Sequence, residues 1–219
     1  MAAISLTTRR IPLKNGASAL SIDFNGEEVL INDTASNAVE IYLLFQDKDT
    51  PEEAKAAEII KKLFVSPAEA YLACDYSIPT LGDLINMVML EVFGIDTRKD
   101  STPSSAPELF DIETDAAYIR SSLRMSYGID WDAVRDSISW SEFLSLIWSL
   151  PYETPLGFRM FYRDPSNRPT PNKHNSEQVK EFDKYAALFS LDNQQSSHDN
   201  AKDANSAMTD VALSLAALA

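Results

Sequence analysis

Residues 110–163 read FDIETDAAYIRSSLRMSYGIDWDAVRDSISWSEFLSLIWSLPYETPLGFRMFYR. This stretch predicts three consecutive helices with short connections, because apolar side chains recur at steps of three and four residues in separate runs. Gly128 can end the first helix, Pro151 stops the second, and Thr154–Pro155 can cap and open the third. All 3 tryptophans of the chain fall here, so we expect a hydrophobic core in this block.

Short motifs follow one another through this block. They comprise Asp115–Ala116, Tyr118–Ile119, Tyr127–Gly128–Ile129–Asp130, Trp140 with Phe143, Leu150–Pro151 and Tyr162–Arg163. Their order resembles the pattern of a tail assembly chaperone family of long-tailed phages of Gram-positive hosts, in which D-A-x-Y-I, Q-Y-G-I-D, W-x-x-F, a L-P break and a closing Y-R succeed each other. The resemblance runs from about Ser18 to Leu191. It implies a hairpin followed by helices, and a protein that binds the tape measure protein.

The composition predicts an α-rich globular protein. The chain has 219 residues, of which 45% are hydrophobic and only 6 are glycine. Its formal net charge is −14, whereas a nucleic-acid-binding protein would carry a basic patch. Either the charge serves a partner that is basic or poorly soluble, or it only maintains solubility.

The single cysteine, Cys74, rules out an internal disulfide and favours a reducing cytoplasm. Its apolar surroundings indicate a buried and inert thiol. The N-terminus lacks the apolar core of a signal peptide, and no run approaches the ~20 apolar residues of a membrane-spanning helix. We therefore expect a soluble intracellular protein without membrane contact.

The N-terminal half predicts a hairpin followed by helices. Residues 1–17 read as a flexible arm, and residues 19–32 alternate in polarity around Asn25–Gly26, a strong hairpin signal. A helix is predicted from Ser36 to Gln46. Thr50–Pro51 and Ser66–Pro67 are two further helix starts.

The helix predicted from Thr80 to Phe93 is apolar around nearly its whole circumference. Such a helix is either buried on all sides or uses a second face for another chain. If it binds a partner, the candidate residues on it are Leu84, Met87, Leu90 and Phe93. Its methionines suit an adaptable binding surface.

Arg120 and Arg124 lie four residues apart on one helical face. They are candidate partner-binding residues that could grip acidic groups, and the alternative is a solvated pair. Arg163 follows three aromatic residues. The apolar stem of its side chain can pack against them while the guanidinium pairs with a carboxylate.

The fold class that we predict is mainly α (α+β), with an N-terminal β-hairpin and a multi-helix bundle. The main domain covers 18–163 and contains an exposed linker near 95–109. A loop and a C-terminal helix then cover 164–191. Residues 192–219 are predicted to be a mostly disordered C-terminal segment, because the polar stretch 192–206 has almost nothing to bury. The end of the chain, MTDVALSLAALA, could form only a weak amphipathic helix, which is too short to be stable alone.

The chain lacks a recognisable catalytic or metal-binding pattern. His174 and His198 lie in polar segments, and no glycine-rich phosphate loop is present. Two carboxylate clusters, at 111–115 and 130–136, read as helix-capping or solvated groups. We expect no enzyme activity, no cofactor and no metal.

The resemblance implies a tail assembly chaperone that keeps the tape measure protein soluble during tail assembly. The tail tube protein and a second copy of the chain are further expected contacts. Such a protein would act in the host cytoplasm and be absent from the mature virion. The alternatives are a structural tail component or another viral adaptor retained in the particle, and a small helical enzyme, which would need an enclosed polar cleft with perturbed groups.

Overall fold

The structure, a computed structural model, describes residues 9–14, 16–95 and 107–191, and for Glu52 only the backbone. The described residues form strands and helices in the following order: β1 Arg10–Pro12, β2 Ser18–Phe24, β3 Glu27–Ile31, α1 Ala35–Gln46, α2 Glu52–Leu63, α3 Pro67–Ala73, α4 Ile78–Glu91, α5 Ala116–Tyr127, α6 Trp131–Val134, α7 Trp140–Trp148, α8 Pro155–Arg163 and α9 Ser176–Phe189. The predicted fold class, mainly α with a β element at the N-terminus, is confirmed. The predicted tail at 192–219 and most of the predicted linker lie outside the described residues.

The N-terminal sheet is antiparallel with the strand order β1-β2-β3. Asn25 and Gly26 have φ of 55° and 85° and form the predicted turn between β2 and β3. Strand β1 is an addition to the prediction, which assigned residues 1–17 to an arm. It is short and contains Pro12, and the Arg10 guanidinium donates to both carboxylate oxygens of Asp33 at 2.7 and 2.8 Å. Because the strand forms only by pairing with β2, local pattern could not reveal it.

The chain forms two compact units. Unit 1 holds the described residues up to 95 together with 135–144, and unit 2 holds 107–134 and 145–191. The core of unit 1 is formed by large side chains that are fully buried, including Ile31, Ile41, Leu63, Phe64, Leu84, Val88, Met89 and Phe143. The core of unit 2 includes Ile119, Leu123, Leu156, Met160, Val179 and Phe182.

The return segment, residues 135–144, completes unit 1 by capping α1. The first amides of a helix have no partner within the helix, and the N-cap Thr34 makes no side-chain capping bond. Instead, the Ala35 N–H donates to the Ile138 carbonyl at 2.9 Å, and the Ser36 N–H donates to the Arg135 carbonyl at 3.0 Å. The helix that opens the bundle is therefore capped by backbone made much later in the chain.

Trp140 anchors the same return segment. Its backbone N–H donates to the Asp33 carbonyl at 2.7 Å, and its indole Nε1–H donates to the Phe93 carbonyl at 3.3 Å. The ring is buried and stacks on Phe143 at a centroid distance of 5.3 Å. A buried indole needs such an acceptor for its N–H, so this tryptophan fixes the end of α4 within unit 1.

Most predicted helix ends are confirmed. The Ser66 hydroxyl accepts from the Glu69 N–H at the start of α3, and the Thr154 hydroxyl accepts from the Gly157 N–H at the start of α8. Gly128, with φ of 68°, ends α5 as predicted. The Thr50 cap was wrong, because the Thr50 hydroxyl donates to Asp47 instead of accepting from α2.

Candidate interaction surfaces

Helix α4 places its predicted partner-binding residues at different depths. Leu84 and Phe93 are buried within the protein, whereas Met87 and Leu90 are half-buried. Asp83 and Glu91 on α4 are exposed, and Phe93 lies just beyond the end of this helix. Leu84 and Phe93 would meet a partner only if unit 1 rearranged. The binding role of all four stays a prediction.

Arg120 and Arg124 lie on the exposed side of α5, and both make ion pairs. The Arg120 guanidinium is 2.7 Å from the Asp132 carboxylate, and the Arg124 guanidinium is 2.7 Å from the Asp130 carboxylate. These exposed pairs contribute little stability. They also offset the positive charge that an acidic partner would recognise, and the partner-binding role of both arginines stays a prediction.

Asp115 and Arg163 form a buried ion pair in unit 2. Both guanidinium NH groups donate to the Asp115 carboxylate, the second at 3.0 Å. The same guanidinium donates to the carbonyls of Leu109 at 3.0 Å and Phe189 at 2.6 Å. The predicted pairing of the Arg163 head with a carboxylate is confirmed. Asp115 stands at the N-cap position of α5, as the prediction of a capping role implied, but its side chain makes no capping hydrogen bond there. The alternative of a solvated carboxylate is wrong, because the exposure of Asp115 is 0%.

The motif residues that carry the family resemblance are thus largely structural. Asp115 and Arg163, the first and last of them, meet in the core. The Tyr127 hydroxyl donates to the Leu146 carbonyl at 3.0 Å and so holds the end of α5 against α7 within unit 2. The Pro151 carbonyl accepts from the Thr154 hydroxyl at 2.7 Å. These contacts show that several of the motifs specify how the helices of unit 2 pack.

An aromatic cluster joins α8 to α9 in unit 2. Its members are Tyr152, Phe158, Phe161, Tyr162, Phe182, Tyr185 and Phe189. Neighbouring rings meet mostly edge to face, for example Phe158 and Tyr162 at 4.9 Å between centroids. The Arg159 guanidinium lies 3.6 Å from the Tyr118 ring centroid, which ties α5 to this cluster.

Tyr162 has the most altered acidity in this cluster. Its hydroxyl lies 3.4 Å from the Tyr152 hydroxyl. That hydrogen bond, followed by burial and by the nearby charges of Tyr152, Glu181 and Tyr185, raises the pKa of Tyr162 to about 12. The phenol is therefore kept neutral, which is the behaviour of a structural tyrosine.

Helix α3 and its closing turn present an apolar face to solvent. Ala70, Ala73 and Cys74 are buried, on the side where α3 packs against β3. The exposed part of this segment, hereafter the α3 face, consists of Ala68, Glu69 and Leu72 on the helix and of Asp75 and Tyr76 in the turn that closes it. The exposed fraction is 53% for Leu72 and 70% for Tyr76. Sequence reasoning missed this face, although the small residues Ala70 and Ala73, three apart, mark the packed side.

The α3 face lies in an acidic environment. The sequence from 63 to 95 contains Glu69, Asp75, Asp83 and Glu91 and no lysine or arginine, and all four carboxylates are exposed. Burial, and then the negative charges of Asp75 and Asp83, raise the pKa of the Cys74 thiol. The buried, inert thiol expected from sequence is consistent with this position.

Within residues 9–14, 16–95 and 107–191, no three His, Cys, Asp or Glu side chains converge as metal ligands would. In the same part of the chain, none of the helices has the length and hydropathy needed to cross a bilayer.

Comparison with protein families identifies the chain as a bacteriophage protein. It belongs to the family described as Bacteriophage Gp15 protein, whose model matches residues 17–191. Curated proteins and solved structures were also compared, and neither yielded a match to the chain. The predicted phage origin is confirmed at this level.

Proposed function

We propose that this protein is a tail assembly chaperone that binds the tape measure protein and keeps it soluble until the tail tube forms around it. Membership in a bacteriophage protein family supports a role in phage assembly. The observation that carries the proposal is the α3 face, where Leu72 and Tyr76 stay exposed among carboxylates. Single exposed apolar side chains are common on protein surfaces, but two large ones close together in the chain favour an interaction surface.

The chemistry suits a client that would otherwise aggregate. A long helical protein with apolar faces exposes those faces until its tube subunits arrive. A carrier can cover them by laying helical surface against helical surface. The formal charge of −14 then keeps the complexes apart by mutual repulsion.

In this proposal the protein acts by binding and carries out no reaction. It works in the host cytoplasm and leaves before the virion matures. The tail tube protein and a second copy of the chain are additional contacts that we propose for the assembly stage. No nucleic acid, membrane or cofactor takes part.

Co-expression tests the proposal directly. The tape measure protein of the same phage is produced with this protein, or with an unrelated acidic helical protein of similar size as the matched control. We expect the client to move into the soluble fraction, and to co-purify, only with this protein. A client that stays equally insoluble with both would refute the chaperone role.

Mass spectrometry of purified particles separates the chaperone from a structural tail protein. A chaperone that departs should be absent from particles whose tube and tape measure proteins are readily detected. Stoichiometric recovery of this chain from finished virions would instead identify a tail component retained in the particle.

A further inference from the structure

The turn that closes the α3 face contains two residues with left-handed backbone. Asp75 and Tyr76 are consecutive residues with φ of 50° and 56°. Left-handed backbone is cheap for glycine and tolerated by asparagine and aspartate, but it is costly for a bulky residue such as tyrosine. Tyr76 therefore keeps a strained backbone and places its ring in solvent, with an exposed fraction of 70%. Strain of this kind at an exposed side chain is a reason to look for function.

The pattern of the α3 face indicates what could cover it. The Asp75 N–H donates to the Leu72 carbonyl and the Tyr76 N–H donates to the Tyr71 carbonyl, both at 2.9 Å, so Leu72 and Tyr76 belong to the turn that closes α3. Glu69 and Asp75 flank them, and no basic residue occurs between 63 and 95. A partner helix with apolar side chains at helical spacing would pack on Leu72 and Tyr76. Lysine or arginine beside those side chains would meet the carboxylates.

A second copy of this chain fits the same surface poorly. In a symmetric dimer the same patch occurs on both sides, so the carboxylates of one α3 face would oppose those of the other. Like charges placed opposite each other are unfavourable, and the chain already carries a net charge of −14.

We propose that the α3 face, centred on Leu72 and Tyr76 and flanked by Glu69 and Asp75, binds a basic amphipathic helix of the client. The inference rests on the proposed function and adds to it the place of binding and the chemistry of the bound segment.

The first test separates binding from folding at one residue. Tyr76→Asn removes the ring, and asparagine accepts the left-handed backbone, so we expect an unchanged or higher Tm together with roughly tenfold weaker binding of the tape measure protein. Leu72→Gln should weaken binding in the same direction. Leu188→Gln is the matched control, since Leu188 is 66% exposed on α9, and it should leave binding unchanged.

The second test concerns charge. Glu69→Gln with Asp75→Asn should weaken binding and flatten its dependence on salt, because fewer ion pairs form. Glu53→Gln with Glu153→Gln makes the same change in net charge at exposed positions elsewhere and should have a smaller effect. A synthetic helical peptide of leucine and lysine should bind the wild type more tightly than its leucine and glutamate counterpart. The α3 variants should lose that preference.

The outcomes distinguish the two proposals. A wild-type protein that fails to retain the tape measure protein at all overturns the proposed function. A wild type that retains it, while Tyr76→Asn and Leu72→Gln bind equally well, overturns only the assignment of the α3 face. Sedimentation that reveals a dimer abolished by Tyr76→Asn would likewise overturn it, because the face would then serve self-association.

Discussion

The carboxylate of Asp115, one residue before α5, is paired inside unit 2 with the guanidinium of Arg163, the last residue of α8. The same guanidinium holds the backbone carbonyls of Leu109 and Phe189. One side chain therefore joins the segment before α5 to the ends of α8 and α9. Each partner depends on the other, because a single buried charge left without its counterpart is strongly unfavourable.

Removing one partner of this pair should destabilise the protein severely. We expect Arg163→Ala to lower the free energy of unfolding by about 3–5 kcal/mol, since Asp115 would remain buried without a counter-charge. Arg120→Ala, which breaks an exposed ion pair, should change it by less than about 1 kcal/mol. Denaturant unfolding of both variants measures the contrast. Similar losses for the two would contradict the structural role assigned to Arg163.

Gly157, in the first turn of α8, must be glycine because the Pro151 backbone lies too close to leave room for a side chain. A Cβ at Gly157 would overlap the Pro151 carbonyl oxygen and lie 2.8 Å from the Thr154 hydroxyl. We expect Gly157→Ala to lower the free energy of unfolding by about 1–3 kcal/mol. Gly82, inside α4, has open space at the same position, so Gly82→Ala should raise it by up to about 1 kcal/mol. Thermal unfolding should show a lower Tm for Gly157→Ala and a higher Tm for Gly82→Ala. Equal Tm shifts would contradict the close contact at Gly157.

Two neighbouring serines should respond differently to the same substitution. The buried Ser122 hydroxyl accepts from the Leu156 N–H at 2.9 Å, and that amide has no helical partner at the start of α8. Ser122→Ala leaves the amide unsatisfied and should cost about 1–3 kcal/mol. The exposed Ser121 donates to the Tyr118 carbonyl of its own helix, so Ser121→Ala should be nearly neutral. Chemical denaturation measures both free energies of unfolding, and a larger loss for Ser121→Ala than for Ser122→Ala would contradict the structure.

Alkaline pH should weaken the fold through Tyr162. Its pKa is raised from 10.0 to about 12, first by the Tyr152 hydrogen bond and then by burial. Between these values the unfolded chain loses the phenolic proton before the folded one does, so stability falls as pH rises from about 10 to about 12. Tyr162→Phe should remove that part of the pH dependence, as measured by unfolding across the range. An unchanged slope in this variant would show that Tyr162 does not contribute.

Local pattern predicted the elements whose signals are local. Asn25–Gly26, Thr154 and Gly128 each determine a turn or a helix end through their own backbone preferences. Strand β1 escaped prediction because it is short, contains Pro12 and forms only by pairing with β2. The buried state of Asp115 escaped because its partner, Arg163, is distant in sequence.

The candidate site was harder to predict than the fold. The apolar character of α4 was evident, but burial of Leu84 depends on what packs around it. Leu72 and Tyr76 look like ordinary core positions in the sequence, but in the structure Ala70 and Ala73 take the packed side of α3, and the helix ends before the left-handed residues Asp75 and Tyr76. Whether an apolar side chain is exposed depends on what packs around it in the folded protein, so it cannot be predicted from the amino-acid composition.

The capping of α1 by Arg135 and Ile138 has a consequence for synthesis. At about 5–20 residues per second, a ribosome takes roughly 5–20 s to travel from the codon of residue 35 to that of residue 138. Throughout that interval the nascent chain holds a first helix whose leading amides lack their final acceptors. A product of premature termination before residue 135 would never acquire them, so translation must pass this point before the N-terminal part can mature.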